Sequence, residues 1–207
     1  MSDDLRIAAL LCSRVCHDLI SPISALNNGL EVMADDDDEE MRRHAMDLIA
    51  MSGKQASAKL QFARLAYGAS STAGDELDLA EVQKILGDLF AESKVTLEWR
   101  TEGAKLDRAV GKILANLILI ASDCIPRGGT LRIVFGAEGE AAKLVILAEG
   151  DRAKLNEDVQ SALVGDVSDE MLNPRSIQPY LTGLIARGNE LRILCQSSED
   201  KVQIAVT

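Results

Sequence analysis

The chain has 207 residues, of which 47% are hydrophobic and only 3% aromatic, so it can form one medium domain or two small ones with an aliphatic, alanine-rich core. Its formal net charge of −11 argues against a nucleic acid or an anionic membrane as partner, since both require a basic footprint. No continuous apolar run reaches the ~18 residues of a membrane span and the first residues are not those of a signal peptide, so we expect a cytoplasmic protein.

A long amphipathic helix is predicted over residues 3–34, which corresponds to about 48 Å. Apolar or small residues recur in it at alternating gaps of four and three, the spacing of a heptad seam. His17 lies one position beyond the seam, so its imidazole is expected to face solvent. The seam positions are Leu5, Ala9, Cys12, Cys16, Leu19, Ile23, Leu26, Leu30 and Met33.

Residues 17–23, which read His-Asp-Leu-Ile-Ser-Pro-Ile, are the most informative stretch of this helix. Pro22 removes one helical hydrogen bond and its ring clashes with the carbonyl of Asp18, which costs about 3 kcal/mol in a helix interior. A sequence that keeps such a break beside an exposed His-Asp pair indicates a functional site at this turn. A metal site formed by Cys12, Cys16 and His17 is disfavoured, because His17 points away from the stripe that carries the two cysteines.

The same stretch resembles the H-box of histidine kinases, His-(Glu/Asp)-Leu-x-(Thr/Ser)-Pro-(Leu/Ile), in which the histidine accepts the phosphoryl group. Residues 11–22, read together with the Asn-Asn-Gly-Leu-Glu run at residues 27–31, are similar to the ChpT-type histidine phosphotransferases of alphaproteobacterial cell-cycle phosphorelays. The likeness spans the whole chain in length and in the order of its elements. It implies that His17 is a phospho-acceptor.

A second helix is predicted over residues 38–67, after an acidic run at residues 35–40. We interpret the run as a solvated turn, whose last aspartates cap the helix and whose glutamates lie at its positive end. The two helices form an antiparallel hairpin, and their long apolar seams require a partner, so we expect two copies to make a four-helix bundle. This places a dimerisation and phosphotransfer domain at residues 1–68, with His44 as an ordinary surface residue.

Residues 69–75 are small and polar and are interpreted as a linker. From residue 76 to residue 207, helical stretches are interspersed among mostly antiparallel strands, which predicts a second domain with a two-layer α+β sandwich. Helices are predicted over residues 79–92, 107–125, 156–163 and 176–187. Strands are predicted over residues 95–100, 131–135, 143–147, 191–195 and 202–206, the second and third joined by a turn region at 136–141 and the last two forming a hairpin.

The order of these elements resembles the ATP-binding domain of histidine kinases, the Bergerat fold, but its three nucleotide motifs are damaged. In the N-box, the first asparagine is Asn116, but the second is replaced by Ile120, which cannot ligate Mg²⁺. In the D-x-G-x-G motif, Ala148 replaces the aspartate that contacts adenine, and Arg152 replaces the second glycine. In the glycine box, Pro179 lacks a backbone amide for a phosphate. We therefore expect the fold without the ATP site, and no intrinsic cofactor.

Without ATP, His17 can only be charged by, and discharged to, another phosphorylated protein. The resemblance implies that it attacks the aspartyl phosphate of one receiver domain and passes the phosphoryl group to the aspartate of another, with Mg²⁺ supplied by the receiver domains. Asp18 is the candidate to orient the ring and keep the attacking nitrogen unprotonated. Arg14 either offsets phosphoryl charge or is a surface arginine, and Ser21 is a candidate by analogy with kinases. The candidate receiver-docking residues are Ser24, Asn27 and Asn28.

The resemblance also implies the partners, which are the receiver of an upstream hybrid kinase of the CckA kind and downstream response regulators of the CtrA and CpdR kinds. Two other functions stay open at this point. One is an active histidine kinase with an atypical ATP site, and the other is a catalytically silent dimeric adaptor for response regulators. ATP binding distinguishes the first from a relay protein, and phosphotransfer that depends on His17 distinguishes the second.

Overall fold

The computed structural model describes residues 3–35, 38–68, 76–100, 105–135, 143–167 and 172–207. The predicted linker at residues 69–75 and the predicted turn at residues 136–141 lie outside the described residues. The helices are α1 (Asp3–Asp35), α2 (Glu39–Tyr67), α3 (Leu79–Phe90), α4 (Arg108–Asp123), α5 (Glu157–Val164) and α6 (Ile177–Gly188). The strands are β1 (Glu76–Asp78), β2 (Val95–Arg100), β3 (Lys105–Asp107), β4 (Gly129–Phe135), β5 (Leu144–Glu149), β6 (Ile193–Ser198) and β7 (Lys201–Val206).

The first two helices form the predicted antiparallel hairpin. The start of α2 follows from the acidic run, since the Asp38 carboxylate accepts a hydrogen bond from the Glu40 amide at 2.9 Å. Glu39 and Glu40 lie in the first turn, where the helix dipole stabilises negative charge. Successive contacts pair later residues of α2 with earlier residues of α1: Arg42 with Met33, Ile49 with Gly29, and Lys59 with Asp18.

The face of α1 that packs on α2 coincides only in part with the predicted seam, of which Leu19, Leu26 and Met33 are half-buried. Pro22 and Gly29 are buried, and the half-buried Val15 continues their line at seven-residue spacing. This line lies about 100° around the helix from four of the nine predicted seam positions, which are Ala9, Cys16, Ile23 and Leu30, and about 40–60° from the other five. Small and apolar residues occupy more than one stripe of α1, so periodicity alone could not choose between the two faces. Six predicted seam positions are exposed in the single chain, namely Leu5, Ala9, Cys12, Cys16, Ile23 and Leu30.

The apolar stripes of α1 also correct the expectation that no stretch of the chain could cross a membrane. Among the described residues, Asp4–Ala34 is long and apolar enough to do so by length and composition alone. Core helices of soluble proteins and signal sequences meet the same criterion, and 6% of the apolar window of α1 is buried in the single chain. Here the helix packs on α2, and its Arg6 side chain donates to the carbonyl of Leu172 at 3.5 Å.

The remaining strands and helices form the expected two-layer α+β sandwich. Five strands lie in the order β2-β4-β5-β7-β6, in which β2 and β4 pair in parallel and all other neighbours are antiparallel. The predicted pairing of β4 with β5 and the predicted β6–β7 hairpin are confirmed. The sequence missed β1 and β3, which form a separate two-stranded sheet, because three-residue strands contain too few alternating positions.

The hairpin and the sandwich share one core. Phe62 and Ala66, in the last turns of α2, belong to the same buried cluster as Leu117 of α4. The segment before α6 is also held against α1, since two arginines of α1 reach carbonyls at Leu172 and Pro174. The turn of α1 that carries His17 therefore has a defined position relative to the C-terminal part of the chain.

Candidate functional site

His17 is displayed on α1 with 83% of its side chain exposed, which is the exposure expected from its position off the seam. Its Nδ1 atom lies 3.6 Å from Asp18 Oδ1. This distance allows an electrostatic contact and is too long for a hydrogen bond. The imidazole thus has a carboxylate beside one nitrogen, and most of its surface is open to another protein.

Asp18 is held by a side chain one turn earlier. Arg14 Nε donates to Asp18 Oδ2 at 2.9 Å, and Arg14 Nη1 approaches the carbonyl oxygen of Pro174 at 3.5 Å. The Arg14 side chain is 19% exposed and that of Asp18 is 35% exposed. Arg14 is therefore not a free surface arginine, because it connects the turn of His17 to the segment before α6.

Lys59 contacts the same turn from the second helix of the hairpin. Its Nζ atom donates to the backbone oxygen of Asp18 at 2.8 Å. In a regular helix this carbonyl would accept from the N–H of residue 22, but Pro22 has no N–H. Sequence reasoning missed Lys59, although the missing N–H was a signal that the Asp18 carbonyl requires another donor.

A cleft of about 210 Å³ lies beside this turn, between the hairpin and helices α3 and α4. Charged side chains of Arg14, Asp18 and Lys59 line it together with apolar residues. Burial raises the pKa of Tyr67, in the cleft wall, to about 12, while Arg14 lowers that pKa and Asp18 raises it further. Desolvation likewise raises the pKa of Asp123, again with Arg14 opposing the shift and Asp18 adding to it. The charges of the turn therefore act within a partly dehydrated junction.

The predicted docking residues are all exposed, but they do not lie on one face. At 100° per residue, Ser24 and Asn28 lie within about 20° of His17 around the helix, and Ser21 lies within about 40°. Asn27 lies about 80° from His17, toward the exposed apolar stripe. Ser21, Ser24 and Asn28 thus form a polar strip with His17, which Asn27 does not share.

The asparagine retained from the N-box is used for packing. Asn116 is fully buried, and its Nδ2 donates to Lys112 O at 2.9 Å and to Ala66 O at 3.4 Å. Its Oδ1 accepts from Gln178 Nε2 at 3.2 Å. The amide therefore links α4 to α2 and α6, and its N–H groups and its oxygen are bound within the protein.

The residues at the positions of the other two nucleotide motifs also have contacts within the protein, and Ala148 and Pro179 are buried while Arg152 is exposed. Ala148 is fully buried in β5, and the backbone N–H of Arg152 donates to Asp200 Oδ1 at 2.7 Å. Pro179 is buried in α6. The cleft between α4 and the start of α6 has a volume of about 70 Å³. This volume is smaller than the about 300–1,000 Å³ of typical small-molecule sites.

Comparisons with known proteins agree with this arrangement. Residues 79–201 match the family model of the histidine phosphotransferase C-terminal domain. The chain is 34% identical over 198 residues to the protein phosphotransferase ChpT of Brucella abortus (strain 2308). This match covers 96% of this chain and 93% of that protein.

Among solved structures, that of a bacterial phosphotransferase at 1.7 Å is similar, with a TM-score of 0.84 and 33% identity over 98% of this chain and 96% of its own. A weaker likeness is to the histidine kinase AdeS of Acinetobacter baumannii, with a TM-score of 0.45 and 15% identity over 92% of this chain and 95% of that one, and it carries no argument. The family model covers more than half of the chain and the ChpT relative nearly all of it, so this chain belongs to the histidine phosphotransferase family.

Proposed function

We propose that this histidine phosphotransferase is a phosphorelay intermediate that carries the phosphoryl group on His17. The group comes from the aspartyl phosphate of one receiver domain and leaves to the aspartate of another. The observation that supports the proposal is that the His17 imidazole is 83% exposed and lies beside Asp18. Arg14 holds the carboxylate of Asp18, and Lys59 holds its backbone oxygen.

The transfer requires a ring nitrogen with a free lone pair. Asp18 Oδ1, at 3.6 Å from His17 Nδ1, favours the tautomer with the proton on Nδ1, which leaves Nε2 as the nucleophile. As the bond from Nε2 to phosphorus forms, the bond from phosphorus to the receiver carboxylate breaks, and the electron pair stays on that carboxylate. The imidazole keeps its Nδ1 proton and becomes a cation, whose charge Asp18 stabilises until the reverse steps pass the group on.

The remaining predicted site residues have supporting roles in this proposal. Arg14 acts by holding Asp18, to which its Nε donates at 2.9 Å, rather than by contacting the phosphoryl group. Ser21, Ser24 and Asn28 contact the receiver around the rim of its active site, and Asn27 lies at the edge of that contact. Mg²⁺ belongs to the receiver domain, where it neutralises charge on the phosphoryl oxygens.

The test is transfer from a phosphorylated receiver domain to the purified protein. The chain offers a matched control, because His44 is the second histidine and is also exposed, with 72% of its side chain accessible. His17→Gln is expected to abolish labelling, and His44→Gln is expected to leave it unchanged. Labelling of the His17→Gln protein would contradict the assignment, and no labelling of the wild type would favour a silent adaptor.

We also propose that the protein does not use ATP. The buried amide of Asn116, the apolar Ile120 and the cleft of about 70 Å³ support this proposal. Calorimetric titration with ATP and Mg²⁺ is expected to give no binding heat. Micromolar affinity would instead favour an active kinase with an atypical site.

A second copy is proposed to cover the exposed apolar side of the hairpin. Of the ten large exposed hydrophobic residues in the described chain, eight lie in α1 or α2. On α2, the exposed Leu60 lies about 160° around the helix from Phe62, which packs into the core shared with the sandwich. The side of α2 that carries Leu60 and Met46 therefore faces away from the sandwich. On α1, the exposed residues Leu5, Ile23 and Leu30 keep the heptad spacing that suits a four-helix bundle.

Light scattering measures this assembly directly. The chain offers two hydrophobic residues of similar exposure for comparison. Ile23 on α1 is 45% exposed, and Leu194 on β6 is 53% exposed. Ile23→Glu is expected to give a monomer, while Leu194→Glu keeps the dimer. A wild-type monomer, or a dimer that survives Ile23→Glu, would contradict the proposal.

The proposed partners are receiver domains in the cytoplasm. The resemblance to the ChpT group implies a CckA-like hybrid kinase upstream and CtrA-like and CpdR-like regulators downstream. A membrane-spanning α1 does not fit this proposal, because the side of the helix opposite its apolar stripe carries His17, Ser21 and Ser24 and would face lipid.

A further inference from the structure

We infer that Lys59 is a positioning residue for His17 and that it acts by replacing the hydrogen bond that Pro22 removes. The inference rests on the proposed function of His17. It extends the site from the motif of α1 to a side chain of α2.

The backbone of Asp18 lacks one helical hydrogen bond. The Asp18 carbonyl lacks its usual helical donor, because Pro22 has no N–H. Asp18 is half-buried where its turn of α1 faces α2. A partly buried carbonyl without a donor tends to tilt toward water, which bends the helix. The Lys59 ammonium, at 2.8 Å, satisfies this carbonyl and holds it toward α2.

The position of the Asp18 backbone also affects the imidazole of His17, through the Asp18 carboxylate. The direction of the Asp18 side chain follows from its backbone, and the carboxylate is held by Arg14 at 2.9 Å. The same carboxylate lies 3.6 Å from His17 Nδ1, close enough to influence the tautomer and not close enough for a fixed hydrogen bond. A tilt of the Asp18 backbone therefore changes this distance directly.

Lys59 is not needed simply to close the hairpin. The two helices also meet where Gly29 lies against Ile49, and where Arg42 Nη1 donates to Met33 O at 3.2 Å. Loss of Lys59 is thus expected to leave the hairpin folded and to disturb the turn of His17.

The dependence on Pro22 gives a sharp test. Alanine at position 22 restores an N–H that can bind the Asp18 carbonyl, so Lys59 should matter much less in a Pro22→Ala background. Phosphotransfer from a phosphorylated receiver domain is measured for wild type, Lys59→Met, Pro22→Ala and the double mutant. We expect Lys59→Met to lower the maximal rate by about tenfold with little change in the half-saturating receiver concentration. In the Pro22→Ala background, the same change should cost no more than about twofold.

Two further variants separate positioning from general stability. Lys112 is a matched control, because its Nζ also donates to a backbone carbonyl, that of Gly68 at 2.7 Å, at the end of α2. Lys112→Met is expected to leave the rate unchanged, and Lys59→Arg, which keeps a donor, is expected to restore most of it.

A second readout does not depend on phosphotransfer. In the free dimeric protein, the ¹⁵N shifts of the His17 ring report the tautomer, and Lys59→Met should shift them toward those of a free histidine, whereas Lys112→Met should not. If the wild type fails to accept a phosphoryl group, the proposed function fails, and these shifts still decide the role of Lys59. Equal rate losses in both backgrounds, or His17 shifts that Lys59→Met leaves unchanged, would overturn the inference.

Discussion

Asn116→Leu tests whether the asparagine retained from the nucleotide motif is now a structural link between three helices. The substitution leaves Gln178 Nε2, whose residue is 2% exposed, and the carbonyl of Ala66 without their partner. Each buried polar group left unsatisfied costs about 1–3 kcal/mol, and the leucine regains about 1 kcal/mol by burial of apolar surface. With two such groups, we therefore expect the free energy of unfolding to fall by about 1–5 kcal/mol, compared with the roughly 5–15 kcal/mol of a typical domain.

Urea unfolding followed by circular dichroism measures this loss, which should appear as a lower midpoint at an unchanged slope. Gln178→Leu in the Asn116→Leu background is the control, because removal of both partners can be nearly neutral. The double mutant should therefore lose less than the sum of the single mutants. An Asn116→Leu protein as stable as the wild type within about 0.5 kcal/mol would refute the reasoning. The rate of phosphotransfer per folded molecule should not change in either variant.

Three further outcomes are expected. Gly183→Ala should lower the free energy of unfolding in urea by about 2 kcal/mol or more, because a Cβ at position 183 would lie 2.1 Å from the carbonyl oxygen of Leu163. Gly188→Ala in the same helix is the control and should be neutral, because a Cβ at position 188 meets no atom within 4 Å. Gly29→Val should lower the midpoint of thermal unfolding by an amount equivalent to about 1–3 kcal/mol, since a Cβ at position 29 would lie 2.7 Å from a side-chain atom of α2; an unchanged midpoint would show that the helices can separate freely. The pKa of Tyr67 is raised from 10.0 to about 12 in the folded protein, so the unfolded chain loses this proton first. Its contribution to stability is complete below pH 10 and falls by about 1.4 kcal/mol per pH unit between pH 10 and 12, and Tyr67→Phe should flatten that part of the pH profile.

The elements that were predicted well are those whose pattern repeats many times. The two long helices, α4 and the strands of the larger sheet contain several turns or alternations, and their types agree with the structure. The strands β1 and β3 were missed because three residues cannot establish a period. The packing face of α1 was predicted only in part, because Pro22, Gly29 and the predicted seam all follow helical spacing.

Parts of the candidate site were readable for a similar reason. The exposure of His17 follows from a position along one helix, and the damaged nucleotide motifs are visible as changed residue types. The partners of the site residues were not readable, because they come from distant parts of the chain. Lys59 lies 41 residues after Asp18, and the carbonyl of Pro174 lies 160 residues after Arg14.

The sequence by itself determined that the His17 side chain is exposed, because exposure on a helix depends on local period and on the polar residues around it. It also determined that apolar residues, Ile120 and Ala148, stand where the kinase motifs have an asparagine and an aspartate. Only the tertiary structure decided what holds Asp18 beside His17 and what binds the amide of Asn116. Those are contacts between helices whose relative positions depend on how the hairpin and the sandwich pack into one core, and no local pattern encodes that packing.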